Sequence, residues 1–401
     1  MRLLYLNADP GIPLFGTKGA SVHVRDSIRA LARRGVDVTV LTAATDPRRG
    51  PRDGDDLPAR VLEIEAGGTA TDAAELRGLA ANEPAERAIA HVAATGEIDA
   101  IYERYSLWSV AGANVARESG VPWFVEVNAP LVSEATRHRG LQLGSIARFL
   151  ERRILGEANA VFVVSAELAR YVESRGVDVS RVCELPNGWD PALFGSTPAE
   201  GRTQEDDGRF VVTFVGSLKP WHDLPTLVRA FRTLHSKRPA CRLRIVGDGP
   251  LARSVRDSLA DLPADAVHFT GAVPHRDVAA WLGRSDVAVA PYPPTTEDYF
   301  SPLKLEEYLA AGLPVVASRL GPVARRLRDG DNGLLVAPGD ATAFADALLR
   351  LHDDVALRAR LSDGARSAAR GRTWDDVAER ALGVMERHLV PARIATGTVT
   401  S

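Results

Sequence analysis

The sequence predicts an α/β protein made of two Rossmann-like domains, each a doubly wound parallel sheet. Short apolar runs of strand length alternate with longer helical segments along almost all of the chain, the pattern of parallel strands covered by helices on both faces. The alternation breaks in the polar, aperiodic stretch Thr197–Gly208 and then restarts, as at a linker between domains. A chain of 401 residues, 45% of them hydrophobic, is too long for one ordinary core and apolar enough to build two.

Arg2–Asn7 reads as a buried first strand. A glycine-rich loop follows, then a helix from about Ala20 to Arg34. Arg33, Arg34 and Gly35 close it, since cations suit the carbonyl end of a helix and glycine suits the turn that ends it. Asp37–Thr42 is the next strand, and Asp46–Pro58, rich in Pro, Gly and Asp, is a surface loop. Ala100–Tyr102, Trp123–Val127, Ala160–Val164 and Val182–Leu185 continue the first sheet, giving a domain over residues 1–195. In the second domain, residues 209–373, the strands are Phe210–Val215, Arg242–Val246, Val267–Thr270, Val287–Ala290, Pro314–Ala317 and Leu334–Val336. Three helices end the chain, the last from about Trp374 to Leu389. Ligands of such sheets bind outside the carboxyl ends of the strands, so the loops there are where chemistry is expected.

A net charge of −3 gives no global attraction to nucleic acid. The apolar runs, such as Ala160–Val164, fall far short of the roughly 18 residues of a membrane helix. Asn7 and Asp9 interrupt the start too soon for a signal peptide. Cys183 and Cys241 form no C-x-x-C or zinc pattern and read as free thiols of a cytoplasmic protein.

Five segments carry candidate chemistry. In Asp298–Ala317, Ser301 suits an N-cap and Pro302 the first helical position, with Leu303 following. Lys304 in the first turn has the wrong sign for the helix dipole unless an anion sits beside it. A phosphate at the helix N-terminus would resolve that conflict. Glu307, three residues on, shares the helix face and could accept bonds from two ribose hydroxyls. The alternative is a capped surface helix with a solvated Lys304–Glu307 pair. After the Phe210–Val215 strand, Gly216 permits close backbone approach, and Lys219 and His222 offer donors to an anion. Gly247-Asp248-Gly249-Pro250 is a tight strand-to-helix turn that does not meet the dinucleotide fingerprint. Gly16-Thr17-Lys18-Gly19 opens the first helix without P-loop spacing. Glu126 and Asn128 lie two apart at a strand end, on one face; the plainer reading pairs Glu126 with an arginine such as Arg104. The strings Asp53-Gly54-Asp55 and Asp329-Gly330-Asp331 read as solvated turns, and no metal is assigned to them.

In this order, the segments resemble glycosyltransferase family 4, retaining enzymes of the GT-B fold. The resemblance rests on the Gly16–Gly19 turn, Ala160–Ser165, Leu185-Pro186-Asn187-Gly188-Trp189-Asp190, Gly247–Pro250, Phe300–Gly312 and Asp329–Gly333. It implies two domains facing across a cleft: an acceptor domain, residues 1–195, and a nucleotide-sugar donor domain, residues 209–373. The last helix, residues 374–390, would cross back onto the first domain. The donor would be UDP-linked by family habit. Three positions depart from the family pattern. Tyr299 stands where the first of two glutamates is usual, with Glu297 and Asp298 nearby; Ser217 and His222 replace an arginine and a lysine, with Lys219 as substitute cation; Asn128 replaces a histidine. A side branch of the family resembles this variant pattern.

The resemblance implies same-face transfer in which the leaving phosphate oxygen takes the acceptor proton, so no protein nucleophile, metal or cofactor is expected. Lys219, Lys304, Asn128 and Glu126 are the expected catalytic set. Gly16, Gly19, Gly216, His222, Gly247, Gly249, Ser301, Pro302, Leu303 and Glu307 are expected at the donor, and His23 and Arg104 on the acceptor side, the acceptor being a small molecule or a glycan. The rival readings are a sugar-nucleotide epimerase, an inverting transferase and a nucleotide-sugar binding protein without turnover. The basic, amphipathic segment Arg148–Leu155 adds the alternatives of weak peripheral membrane contact and ordinary core packing.

Overall fold

The structure, a computed structural model, describes residues 1–45, 57–65, 73–96, 98–195, 208–294 and 299–395. The Asp53–Asp55 turn, Glu297, Asp298 and nearly all of the Thr197–Gly208 stretch lie outside them. The chain forms two compact units: Met1–Pro186 with Tyr299–Ser301 and the segment from Trp374 on, and Asn187–Asp298 with Pro302–Thr373.

The first unit holds seven strands: β1 Arg2–Asn7, β2 Asp37–Thr42, β3 Arg60–Glu63, β4 Ala100–Arg104, β5 Trp123–Val127, β6 Ala160–Val163 and β7 Val182–Glu184. They pair in parallel in the order β3-β2-β1-β4-β5-β6-β7. β3 was not foreseen. It is a four-residue edge strand with a half-exposed pattern, too short for its alternation to stand out beside Pro58. One sheet face carries Leu4, Leu6, Ile101, Val125, Val127, Val161 and Val163 into an aliphatic core. The other carries a row of stacked rings, Tyr5, Tyr102, Phe162 and Phe124, at centroid distances of 5.2, 5.5 and 6.1 Å. Two helices, Gly19–Arg33 and Trp374–Ala395, pack on each other in this unit. His388 of the latter meets Phe124 edge-on, and the pairs Arg33–Asp375 and Arg34–Glu379, both 2.8 Å, join the two helices. Removing a buried ring such as Phe162 would cost about 3–5 kcal/mol, the usual range for emptying an aromatic site in a core.

The helix Gly144–Glu157 contains the basic amphipathic segment. It buries Ala147, Leu150, Ile154 and Leu155 and leaves Ile146 and Phe149 exposed. Among the described residues no helix is long and apolar enough to cross a membrane.

The second unit holds β8 Val211–Val215, β9 Arg242–Val246, β10 Val267–Gly271, β11 Val287–Ala290, β12 Val315–Ser318 and β13 Gly333–Val336. They pair in parallel in the order β10-β9-β8-β11-β12-β13. In each sheet the winding reverses beside the unit's first strand, between β1 and β4 and between β8 and β11. That reversal opens a crevice at the strands' carboxyl ends. The loops after β8, β9 and β11 therefore converge on one place.

Candidate functional site

The second unit's site begins with two glycines at neighbouring strand ends. Gly216 after β8 and Gly247 after β9 have φ of 138° and 143°, a region that side chains rarely occupy. A Cβ on Gly247 would lie 2.1 Å from the Gly216 carbonyl oxygen, so the two turns touch backbone to backbone. Hydrogen bonds lock them together: Gly216 N–H to Val246 O at 2.9 Å, Leu218 N–H to Asp248 O at 3.0 Å and Leu251 N–H to Leu218 O at 3.0 Å. Gly249 sits equally tight, its Cβ position being 2.7 Å from Leu218 backbone atoms.

The loop continues into a 3₁₀ turn, Pro220–His222, and a left-handed Asp223. His222 is buried, and its Nδ1 donates to Ser217 O at 2.6 Å. Burial, aided by the nearby Lys304 and Lys219 ammonium groups, pushes the ring down to about 3, so it is neutral at working pH.

Lys304 enters from the helix Leu303–Ala310. Tyr308 pins that helix to the sheet: its hydroxyl donates to Val289 O at 3.3 Å and accepts from Val215 N–H at 2.8 Å. Lys304 Nζ lies 4.2 Å from the centroid of the Phe214 ring and 2.8 Å from where a Cβ on Gly216 would be. It is buried and has no hydrogen-bond partner. Burial pushes the amine down to about 7, against a smaller upward pull from Glu307. A solvated Lys304–Glu307 pair is therefore excluded. Glu307 is itself buried and accepts from His275 Nε2 at 2.6 Å. The neighbouring Glu306 takes both ends of Arg326, at 2.7 and 2.6 Å.

Ser301 does not cap this helix. Pro302 is the extended N-cap residue, without a side-chain capping bond, and Leu303 is the first helical residue. Ser301 belongs with the first unit. The helix thus starts with Lys304 in its first turn and N–H groups that have no intrahelical acceptor, the chemistry that suits an anion.

In the first unit Glu126 accepts from His23 Nε2 at 2.8 Å, and Arg104 Nη1 stands 3.9 Å from the other carboxylate oxygen. All three are buried. Burial favours the neutral acid, but His23 and Arg104 outweigh it and hold Glu126 below the usual carboxylate range. Hydrogen-bonding capacity is left over: Arg104 Nε and Nη1, Glu126 Oε2, Asn128 Oδ1, Asn7 Oδ1 and the Tyr5 hydroxyl accept or donate no hydrogen bond. Thus His23 and Arg104 enter a buried network with Glu126 rather than standing apart from it. Gly16 closes a turn whose Cβ position would meet Ser21 Oγ at 2.9 Å, whereas Gly19 begins the first helix with open space around its Cβ position.

Several participants carried weaker sequence signals. Arg25 holds the Leu14 and Gly16 carbonyls at 2.6 and 2.8 Å. Tyr299, at the position of the usual glutamate, packs in the first unit: its hydroxyl donates to Glu134, and Ser165 Oγ donates to its carbonyl at 2.8 Å. His275 follows Pro274 as the first residue of the helix His275–Leu282, and nothing local marks it as the partner of Glu307. Asp329 and Asp331 form a turn paired with Arg319 and Arg328 at 2.6 and 2.7 Å.

Two doubly wound parallel sheets, one in each unit, are the architecture of the GT-B fold. The sequence family "Glycosyl transferase 4-like domain" matches residues 18–188, and "Glycosyl transferases group 1" matches residues 209–354. The chain is 31% identical over 396 residues to the D-inositol 3-phosphate glycosyltransferase of Pseudarthrobacter chlorophenolicus, covering 93% of each chain. It is 31% identical over 410 residues to that of Acidothermus cellulolyticus, covering 94% of this chain and 87% of the relative. The chain belongs to glycosyltransferase family 4. Its fold is similar to sucrose-phosphate synthase from Thermosynechococcus elongatus, with a TM-score of 0.77 and 24% identity over 98% of this chain and all of that one. It is also similar to HepE of Anabaena in complex with UDP and glucose, with a TM-score of 0.73 and 19% identity over 96% of this chain and 99% of the other.

Proposed function

We propose that this glycosyltransferase moves a sugar from a UDP-linked donor to a polyhydroxylated acceptor, with retention at the anomeric carbon and without a metal. The observation that carries the reading is Lys304, whose buried amine makes no hydrogen bond at a helix N-terminus and lies against the closely packed Gly216 turn. A donor diphosphate supplies the missing anion.

In this reading an acceptor oxygen forms its bond to the anomeric carbon on the face from which the diphosphate departs. The bond between that carbon and the β-phosphate oxygen breaks, its electron pair stays on the oxygen, and that oxygen takes the acceptor's proton. The protein stabilises the charge that grows there, and Lys304, Lys219 and the helix N–H groups are the fixed donors for it. Asn128 and Glu126 are assigned to orienting sugar and acceptor. The names of the relatives favour a cyclitol as acceptor, and a UDP-sugar complex of HepE favours uridine.

The test is UDP release from a panel of UDP-sugars in excess chelator, with cyclitols, glycosides and buffer alone as acceptors, and the anomeric configuration of the product read by NMR. Acceptor-dependent release giving a retained product is expected. Release without any acceptor, an inverted product, or activity that returns only with added manganese or magnesium would overturn the corresponding part.

A further inference from the structure

The turn beside the proposed donor site holds an apolar ring out in water. Trp221 is 56% exposed, yet its backbone is tightly constrained. Pro220 precedes it. His222 N–H bonds Lys219 O at 3.0 Å, and the His222 ring bonds Ser217 O at 2.6 Å. Asp223 closes the turn at φ 39°, the one left-handed non-glycine residue among those described. Such strain persists where surrounding structure imposes it and gathers at functional sites. The core gains little from an indole placed there.

What the indole touches is Lys219, whose ammonium lies 4.6 Å from the ring centroid. Lys219 has no carboxylate partner among the described residues. Its charge and that of Lys304 both act on His222, so three bases crowd one corner, and the one carboxylate that acts on Lys304 there, Glu307, is bonded to His275. Left to itself, Lys219 would swing away from the other cations into solvent, because its four-carbon stem is flexible and its head strongly hydrated.

We propose that Trp221 is a positioning residue: its indole face holds the Lys219 ammonium at the diphosphate site before the donor arrives. The inference rests on the donor reading above. Ordering a lysine on binding costs affinity, and ordering it beforehand lowers that cost. The attraction between an ammonium and an indole face is the means. Phenylalanine offers a smaller face of the same kind, and alanine offers none.

The experiment is calorimetric titration of UDP into the wild-type protein and into Trp221→Ala, Trp221→Phe, Lys219→Met, the Lys219→Met/Trp221→Ala double variant and Lys304→Met, with melting temperatures alongside. Trp221→Ala should weaken UDP binding about two- to fivefold at unchanged melting temperature, the size of an exposed cation–π contact. Trp221→Phe should recover most of the loss, and the double variant should bind no more weakly than Lys219→Met. Wild-type affinity in Trp221→Ala would overturn the inference while leaving the donor site standing, provided Lys304→Met still weakens binding. A loss from Trp221→Ala that persists in the Lys219→Met background would also overturn it, because the ring would then act without the lysine. Unchanged affinity in both lysine variants would remove the donor site, and this inference with it.

Discussion

His275 Nε2 donates to the Glu307 carboxylate at 2.6 Å, with both side chains largely buried. One oxygen of Glu307 is thereby committed and its rotamer fixed. The other is left to accept from ribose, in the role proposed for it. Glu307→Gln keeps the shape and loses the charge-assisted part of those bonds. UDP affinity should fall roughly tenfold, the worth of about 1.4 kcal/mol. Comparing UDP with 2′-deoxy-UDP checks the assignment: the wild-type protein should prefer UDP, and Glu307→Gln should lose most of that preference. An equal preference in both proteins would place the ribose elsewhere. His275→Ala should act in the same direction, more weakly, because it frees the carboxylate without removing it.

If Lys304 holds the donor diphosphate as proposed, donor binding depends on pH. In the empty protein burial brings the amine down to about 7 from an ordinary 10.5. A bound diphosphate favours the charged form, so binding takes up a proton wherever the empty site has lost it. Affinity for UDP should be flat below about pH 7 and then fall by up to about tenfold per pH unit. Calorimetry at about pH 8 in two buffers of different ionisation enthalpy should give different apparent heats, and identical heats would refute the coupling. The stability sign follows from the same shift. Between 7 and 10.5 the folded state binds fewer protons than the unfolded state, so the empty protein gains stability as pH rises through that window. Lys304→Met should therefore raise the melting temperature at neutral pH, by about 2–4 °C per kcal/mol recovered, while losing nucleotide.

Much of this was legible in the sequence because it is written in local chemistry. Alternating strands and helices foretold both sheets, and the glycines after the strands foretold the turns at Gly216 and Gly247 that pack together. What was not legible depends on distance in the chain. Nothing near Glu307 announces that its partner is His275, thirty-two positions earlier. Nothing near Glu126 announces His23, which is 103 positions away. Ser301 followed by Pro302 has the chemistry of a helix start, but the helix begins at Leu303. Tyr299 shows the same limit, because the residues that hold it, Ser165 and Glu134, lie far upstream. The edge strand Arg60–Glu63 is set by pairing with β2, not by its own four residues.

Glu126 and Asn128 share a strand face but should separate on mutation. Glu126 is buried, ionised and paired with His23, with Arg104 close by. Removing its charge leaves the buried Arg104 guanidinium without its carboxylate, and breaking a buried pair costs about 3–5 kcal/mol. Glu126→Gln should therefore lower the melting temperature by many degrees, and some lost turnover would reflect lost folded protein. Acid should mimic the substitution. Because the folded carboxyl titrates below its ordinary 4.5, the stability it contributes is fully present above that value and is lost as pH falls through the folded value. Asn128 is only half-buried, its Oδ1 makes no hydrogen bond, and its side chain is the smallest of the influences that keep Glu126 ionised, so Asn128→Ala should lower the melting temperature far less than Glu126→Gln and leave UDP affinity intact. If Asn128 orients the sugar or the acceptor, kcat with the best acceptor should fall at least about tenfold, a transition-state loss of about 1.4 kcal/mol. Turnover per folded molecule, measured beside melting curves for both variants, decides the matter. Normal turnover in Asn128→Ala would take that residue out of the reaction and leave Arg104, whose Nε and Nη1 make no hydrogen bond, as the polar group of this corner to test next.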